Sequence, residues 1–246
     1  MGHRNGTVKV LLALALAAAL PGCLYPQDRL AQNQLPPKEA IRNLQQAIDQ
    51  FQADNGLLPI KNAEETTPRY EKFIVDLPKL RRMNYIGEIP AAAFEKGGSY
   101  YFLIQNEESD PTVKLMSVVV YQQINDLQRR VDAYKKANGG RLPVGEQAYP
   151  SFRYLDYDKL KGVKLDIRSV YSRQPMNVIV HEGGTVFADY GIDVRKAVEQ
   201  QGGTLPGPDY DLRGLLVAKS DFVPVKSPAY YLVNGDPEAR LPVPLP

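Results

Sequence analysis

Two stretches with one layout decide the fold: Ile41-Arg42-Asn43-Leu44-Gln45-Gln46-Ala47-Ile48-Asp49-Gln50-Phe51 and Ile124-Asn125-Asp126-Leu127-Gln128-Arg129-Arg130-Val131-Asp132-Ala133-Tyr134. In each, an apolar residue stands at the first, fourth, eighth and eleventh place, the spacing of one helix face. Both run to an Asn-Gly stop, Asn55-Gly56 and Asn138-Gly139, suited to a left-handed cap. Both then leave through Leu58-Pro59-Ile60 or Leu142-Pro143-Val144, where proline prevents the helix from resuming. The polar positions Gln45/Gln128 and Asp49/Asp132 also agree, which simple amphipathicity does not require. The pattern therefore predicts a duplicated unit of about 80 residues.

Outward from these helices the agreement is looser. Asp76-Leu77-Pro78-Lys79-Leu80 answers Asp156-Tyr157-Asp158-Lys159-Leu160, and Glu95-Lys96-Gly97-Gly98 answers His181-Glu182-Gly183-Gly184. Each Gly-Gly pair reads as a hairpin turn before a β-prone run. Strands are expected near 99–104 and 112–121 in the first unit and near 177–181 and 185–188 in the second. A helix is expected over Ile192–Gln201, closed by Gly202-Gly203, with a break at Pro206–Pro208. Segments 214–218, 222–225 and 229–233 read as β, the last followed by an Asn234-Gly235-Asp236 turn, and the proline-rich end 241–246 as an edge or extended tail. The fold class is α+β: two tandem copies of a helix–turn–strand unit, then a C-terminal helix and β segment.

The N-terminus carries a different message. Arg4 and Lys9 precede an unbroken apolar run, Val10 to Leu20, and small residues precede Cys23, the single cysteine of the chain. Basic, apolar and small residues in that order build a secretory signal, and the run is too short for a permanent span, which needs about 20 apolar residues. Leu20-Pro21-Gly22-Cys23 resembles the lipobox of bacterial lipoproteins, with Pro21 where Ala, Ser or Thr is commoner. That resemblance implies diacylglycerol on the Cys23 sulfur. It also accounts for a lone thiol, since disulfide-stabilised secreted proteins carry paired cysteines. The expected organisation is a signal peptide over 1–22, a tether over 23–37, the first α+β repeat over 38–120, the second over 121–193, and a C-terminal extension over 194–246.

Of 30 Lys and Arg against 28 Asp and Glu, two basic residues lie in the leader, so the mature chain is balanced. Nucleic acid is not an expected partner; the plasma membrane is, through lipid on Cys23. His181 is the one histidine beyond the leader, so a Ser-His-Asp triad would have to use it, and its place at a probable turn favours an exposed turn histidine instead; a zinc site of several His or Cys ligands is excluded by count. No metal, cofactor or catalytic residue is assigned. Asp209-Tyr210-Asp211 falls short of a calcium loop. Carboxylate-only hydrolysis would draw on Asp156, Asp158 or Asp189, with nothing to select among them. Tyr70, Tyr100, Tyr101, Tyr154, Tyr157, Tyr230 and Tyr231 are candidates for a glycan or peptide groove between the units, or for ordinary sheet packing.

The leader, Cys23-Leu24-Tyr25-Pro26, Leu30-Ala31-Gln32-Asn33-Gln34 and the Asn-Gly-x-Leu-Pro exit resemble the YphF-type lipoproteins of Bacillus relatives. The resemblance implies a Gram-positive, extracytoplasmic, lipid-anchored protein and no particular chemistry. A partial likeness to the stem end of pilins is a shared way of stopping a helix. Three functions are compatible with the sequence: a non-enzymatic binding or scaffold protein at the outer face of the plasma membrane, the solute-binding component of an ABC transporter, and a carboxylate-based cell-wall hydrolase.

Overall fold

A computed structural model describes residues 38–161, 165–202 and 207–241. The signal peptide, the tether, Cys23, Gly203, Pro206 and the proline-rich end from Pro242 lie outside the described residues. Helix α1 (Lys38–Asn55) buries Leu44, Ala47, Ile48 and Phe51. It stops as the Asn55 side chain donates to the Phe51 carbonyl at 2.8 Å and Gly56 turns left-handed at φ 68°. The long helix α3 (Val118–Ala137) ends in the same way, with Asn138 donating to the Tyr134 carbonyl and Gly139 at φ 63°. Between them lie the short helix α2 (Leu77–Arg82), capped by the Asp76 carboxylate, and the antiparallel hairpin β1 (Tyr100–Gln105) and β2 (Thr112–Ser117).

After α3 the chain forms an antiparallel meander, β3 (Val144–Tyr149), β4 (Phe152–Leu155), β5 (Val178–His181) and β6 (Val186–Ala188), in sequential order. The first half traces the same path with its first two strands reduced to single bridges. Ile60 pairs with Val75, and Ile74 with Leu103 on β1. Their counterparts in the meander are Val144 with Leu155 and Tyr154 with Ile179. The backbone agrees in detail: Asp76 N–H donates to the Pro59 carbonyl at 2.8 Å, and Asp156 N–H to the Pro143 carbonyl at 2.9 Å.

The matching glutamines hold helix to hairpin in both halves. Gln45 Oε1 accepts from Val113 N–H at 2.8 Å, while its Nε2 donates to the Pro111 carbonyl and to Asp49. Gln128 Oε1 accepts from Val186 N–H at 2.8 Å, and its Nε2 donates to the Gly184 carbonyl and to Asp132. One amide thus satisfies a donor and an acceptor on the outer strand, and the Asp four residues on fixes which way the amide points.

Several local expectations need correction. The strand expected to reach Tyr121 ends at Ser117, whose hydroxyl accepts from Val120 N–H and starts α3. Three consecutive valines there are helical because Val118 and Val120 are buried, and packing overrides the β preference of branched residues. An end of the first repeat at residue 120 would fall inside this first turn. Gly97-Gly98 is not a hairpin turn. Gly97 ends the 3-10 turn Phe94–Lys96, and a Cβ on Gly98 would lie 2.2 Å from the Ala92 carbonyl carbon. The hairpin that corresponds to Gly183-Gly184 is instead the loop after Gln105, as the two glutamine clamps show. Segment 214–218 is not β but lies within the helix Arg213–Lys219.

Beyond β6 come helix α4 (Gly191–Glu199), helix α5 (Arg213–Lys219) and a terminal hairpin, β7 (Ala229–Val233) and β8 (Asp236–Arg240). Asn234 and Gly235, both at positive φ, make its turn. Between α5 and β7 an extended segment touches both outer strands. Leu115 N–H on β2 donates to the Asp221 carbonyl at 2.7 Å and Val223 N–H donates back to Leu115 at 3.0 Å; Ala188 N–H on β6 donates to the Lys226 carbonyl at 2.8 Å. All described residues belong to one compact unit with two apolar cores. The smaller lies beneath α1 and the β1–β2 hairpin, the larger between the meander and α3, α4 and α5.

Candidate functional site

Of the carboxylates singled out in the sequence, Asp156, Asp189 and Asp211 are committed to structure, whereas Asp158 and Asp209 stand exposed. Asp156 receives the Asp158 and Lys159 backbone N–H groups and pairs with Lys159 at 3.1 Å, which holds its carboxyl below the usual range, the Lys159 side chain being the main cause. Asp189 lies at the end of β6, and its Oδ1 accepts from Tyr149 Oη at 3.0 Å, Tyr230 Oη at 2.7 Å and Gly191 N–H at 2.9 Å. Burial, then the Asp189 charge, pushes the Tyr149 and Tyr230 hydroxyls far up, so both stay protonated donors. Asp211 grips Arg213 through both oxygens, the closest contact being 2.6 Å. His181 accepts from Gly183 N–H at 3.0 Å and lies edge-on to Phe152, shaping the β5–β6 turn. Among the described residues no group of three or more His, Cys, Asp or Glu could hold a metal ion, and no helix is long and apolar enough to cross a membrane.

The seven tyrosines do not converge on one groove. Tyr70, Tyr100 and Tyr230 are buried. Tyr70 lies under the Arg213 guanidinium, 4.9 Å from the ring centre, and Tyr100 packs on Phe222. Tyr101 stands by Phe94 and Lys61, and Tyr231 by Arg240. Tyr154 and Tyr157 line a cavity of about 510 Å³ with Leu165, Met176 and Val178.

The arrangement with the richer chemistry is one that sequence reading passed over. A cavity of about 500 Å³ lies between α4, α5 and the 170–173 loop. Its apolar wall is Leu215, Leu216, Tyr171 and Phe222, and its lining includes Asp193, Lys196, Lys219 and Asp221. Periodicity places Asp193 at the start of a helix, where an acid suits the dipole. What periodicity does not reveal is burial: Asp193 is 6% exposed, and among the described residues its carboxylate has no hydrogen bond or ion pair. The hydroxyls that feel its charge belong to Tyr171 and Tyr190, both raised well above the ordinary range, first by burial. Tyr171 Oη donates to the Phe222 carbonyl at 3.3 Å, and Tyr190 Oη is buried with no partner among the described residues. Lys196 and Lys219 stand exposed at the mouth.

Residues 37–117 match the YphF family N-terminal domain. The match covers about a third of the chain. The YphF-type segment runs from the start of α1 to the end of β2 and stops where Ser117 caps α3. It contains the first glutamine clamp and all of the smaller core's buried residues but Phe222, whereas the cavity between α4 and α5 is built from residues beyond it. No curated protein and no solved structure matches the chain.

Proposed function

We propose that this chain is a lipid-anchored extracytoplasmic protein of the non-enzymatic binding or scaffold kind, held at the outer face of the plasma membrane through Cys23. The leader and the Leu20-Pro21-Gly22-Cys23 motif support the anchor. One observation carries the binding part: a cavity of about 500 Å³, within the usual size of small-molecule sites, whose lining includes a buried carboxylate with no partner among the described residues. The hydrolase reading loses support at two of its three candidates, since Asp156 and the Asp189 Oδ1 are held by structural hydrogen bonds, and nothing selects the exposed Asp158 as a catalyst. A transporter receptor would call for two lobes around a cleft, and the described residues make one compact unit.

The experiment is fractionation of cells with mass spectrometry of the mature N-terminus. Diacylglycerol on Cys23 and release of the Cys23→Ala protein from membranes are the expected results. An unmodified thiol, or full membrane retention of Cys23→Ala, would remove the anchor from the account.

A further inference from the structure

We propose that the cavity between α4, α5 and the 170–173 loop takes a small zwitterion, its ammonium directed inward to Asp193 and its anionic group held at the mouth by Lys196 and Lys219. This deepens the binding reading above and rests on it. The argument is the layering of charge. Asp193, part of the cavity lining, is nine-tenths buried, with no cation bonded to it among the described residues. Its position on α4 explains why it is not already neutralised. Lys196, one turn further on the same helix, is exposed at the rim and forms no ion pair with Asp193. Lys219, at the end of α5, reaches the Ala197 carbonyl at 3.5 Å, spanning the gap between the two helices at the mouth. A buried charge without a partner is costly, and a ligand ammonium would supply the partner.

The other charge patterns fit less well. A metal ion would need several oxygen ligands converging on one point, and among the described residues no such group exists. A plain anion would be drawn to the rim lysines but repelled by Asp193. A plain amine would meet those lysines on the way in. The lining also holds the exposed Arg173 and the half-buried Asp221, and a molecule with both charges, separated by a short apolar body, matches the buried carboxylate, the apolar wall and this mixed outer lining together. The wall of Tyr171, Leu215, Leu216 and Phe222 suits such a body and also offers an ammonium an aromatic face. Amino acids, dipeptides and phosphoethanolamine share this chemistry.

The test is isothermal titration of the full chain in detergent with alanylalanine and phosphoethanolamine as the zwitterions. N-acetyl-alanylalanine, which lacks the ammonium, and alanylalanine amide, which lacks the carboxylate, are the controls. Saturable binding by at least one zwitterion is expected. N-acetylation of the dipeptide, or Asp193→Asn for either ligand, should weaken it at least about tenfold, the scale of a lost charge-assisted hydrogen bond. Lys196→Ala combined with Lys219→Ala should weaken it several-fold, and both side chains are exposed, so this variant keeps the fold even if Asp193→Asn does not. Equal binding of the acetylated dipeptide would overturn the zwitterion assignment while leaving a binding cavity in place. Binding by neither zwitterion, or binding indifferent to both sets of substitutions, would overturn it as well. Anchoring is read separately by fractionation, so its failure cannot be confused with any of these results.

Discussion

Single side chains determine how the helices meet the sheet. Gln45 and Gln128 are half-buried and each bonds an outer-strand N–H and C=O, so shortening either leaves two backbone groups short of partners. Gln128→Ala and Gln45→Ala should each cost about 1–3 kcal/mol, measured by urea unfolding, whereas Gln46→Ala, on the exposed face of α1, should change stability little. The buried tyrosines make stability depend on alkaline pH. Burial pushes the Tyr70 hydroxyl from 10.0 up to about 12, against the lowering effect of Arg213. In the unfolded chain this proton is lost from about pH 10. Its contribution is therefore fully present below pH 10 and disappears as pH climbs to 12, a change of about 3 kcal/mol at 1.36 kcal/mol per unit. Alkaline denaturation followed by tyrosinate absorbance should show this loss, and Tyr70→Phe should make it shallower.

At the scale of elements, the sequence was most legible where one element contains its own instructions. The stripes of α1 and α3, their Asn-Gly ends and the Asn234-Gly235 hairpin are local, and each appears within a few residues of its expected place. Expectations failed where a distant contact decides. Gly-Leu-Leu-Val-Ala at 214–218 has no alternation that would separate a buried strand from a short helix. The helix forms because Asp211 receives the Arg213 N–H while Leu215 and Leu216 pack inward. Gly97-Gly98 and Gly183-Gly184 do not correspond, because strand pairing and not glycine identity fixes where each hairpin turns. The cavity was illegible for a related reason: Asp193 becomes distinctive only once α5 and the 170–173 loop cover it. Helix α5 in turn is docked by Arg213, which is 5% exposed, grips Asp211, donates to the Ser227 carbonyl at 3.1 Å and covers Tyr70. Arg213→Ala should cost about 3–5 kcal/mol by leaving Asp211 and the Ser227 carbonyl without this partner. Faster hydrogen exchange at the Leu115 and Val223 amides would show the 221–226 segment loosening with it.

Over the whole molecule, the two helix-and-meander halves present equivalent outer strands, β2 and β6, and the 221–226 segment bonds to both. That segment also places Phe222 and Asp221 in the wall of the cavity, so closing the fold and forming the site are one event. The match to the YphF family N-terminal domain ends before these parts, which puts the ligand-binding proposal in the portion of the chain outside it. The central claim is that this portion binds a ligand between α4 and α5. Chemical-shift mapping by NMR during titration with alanylalanine and phosphoethanolamine tests it most directly. The account predicts saturable shifts concentrated at Tyr171, Asp193, Lys196 and Lys219. Shifts centred on the Tyr154 and Tyr157 cavity instead, or none that saturate with either ligand, would contradict it.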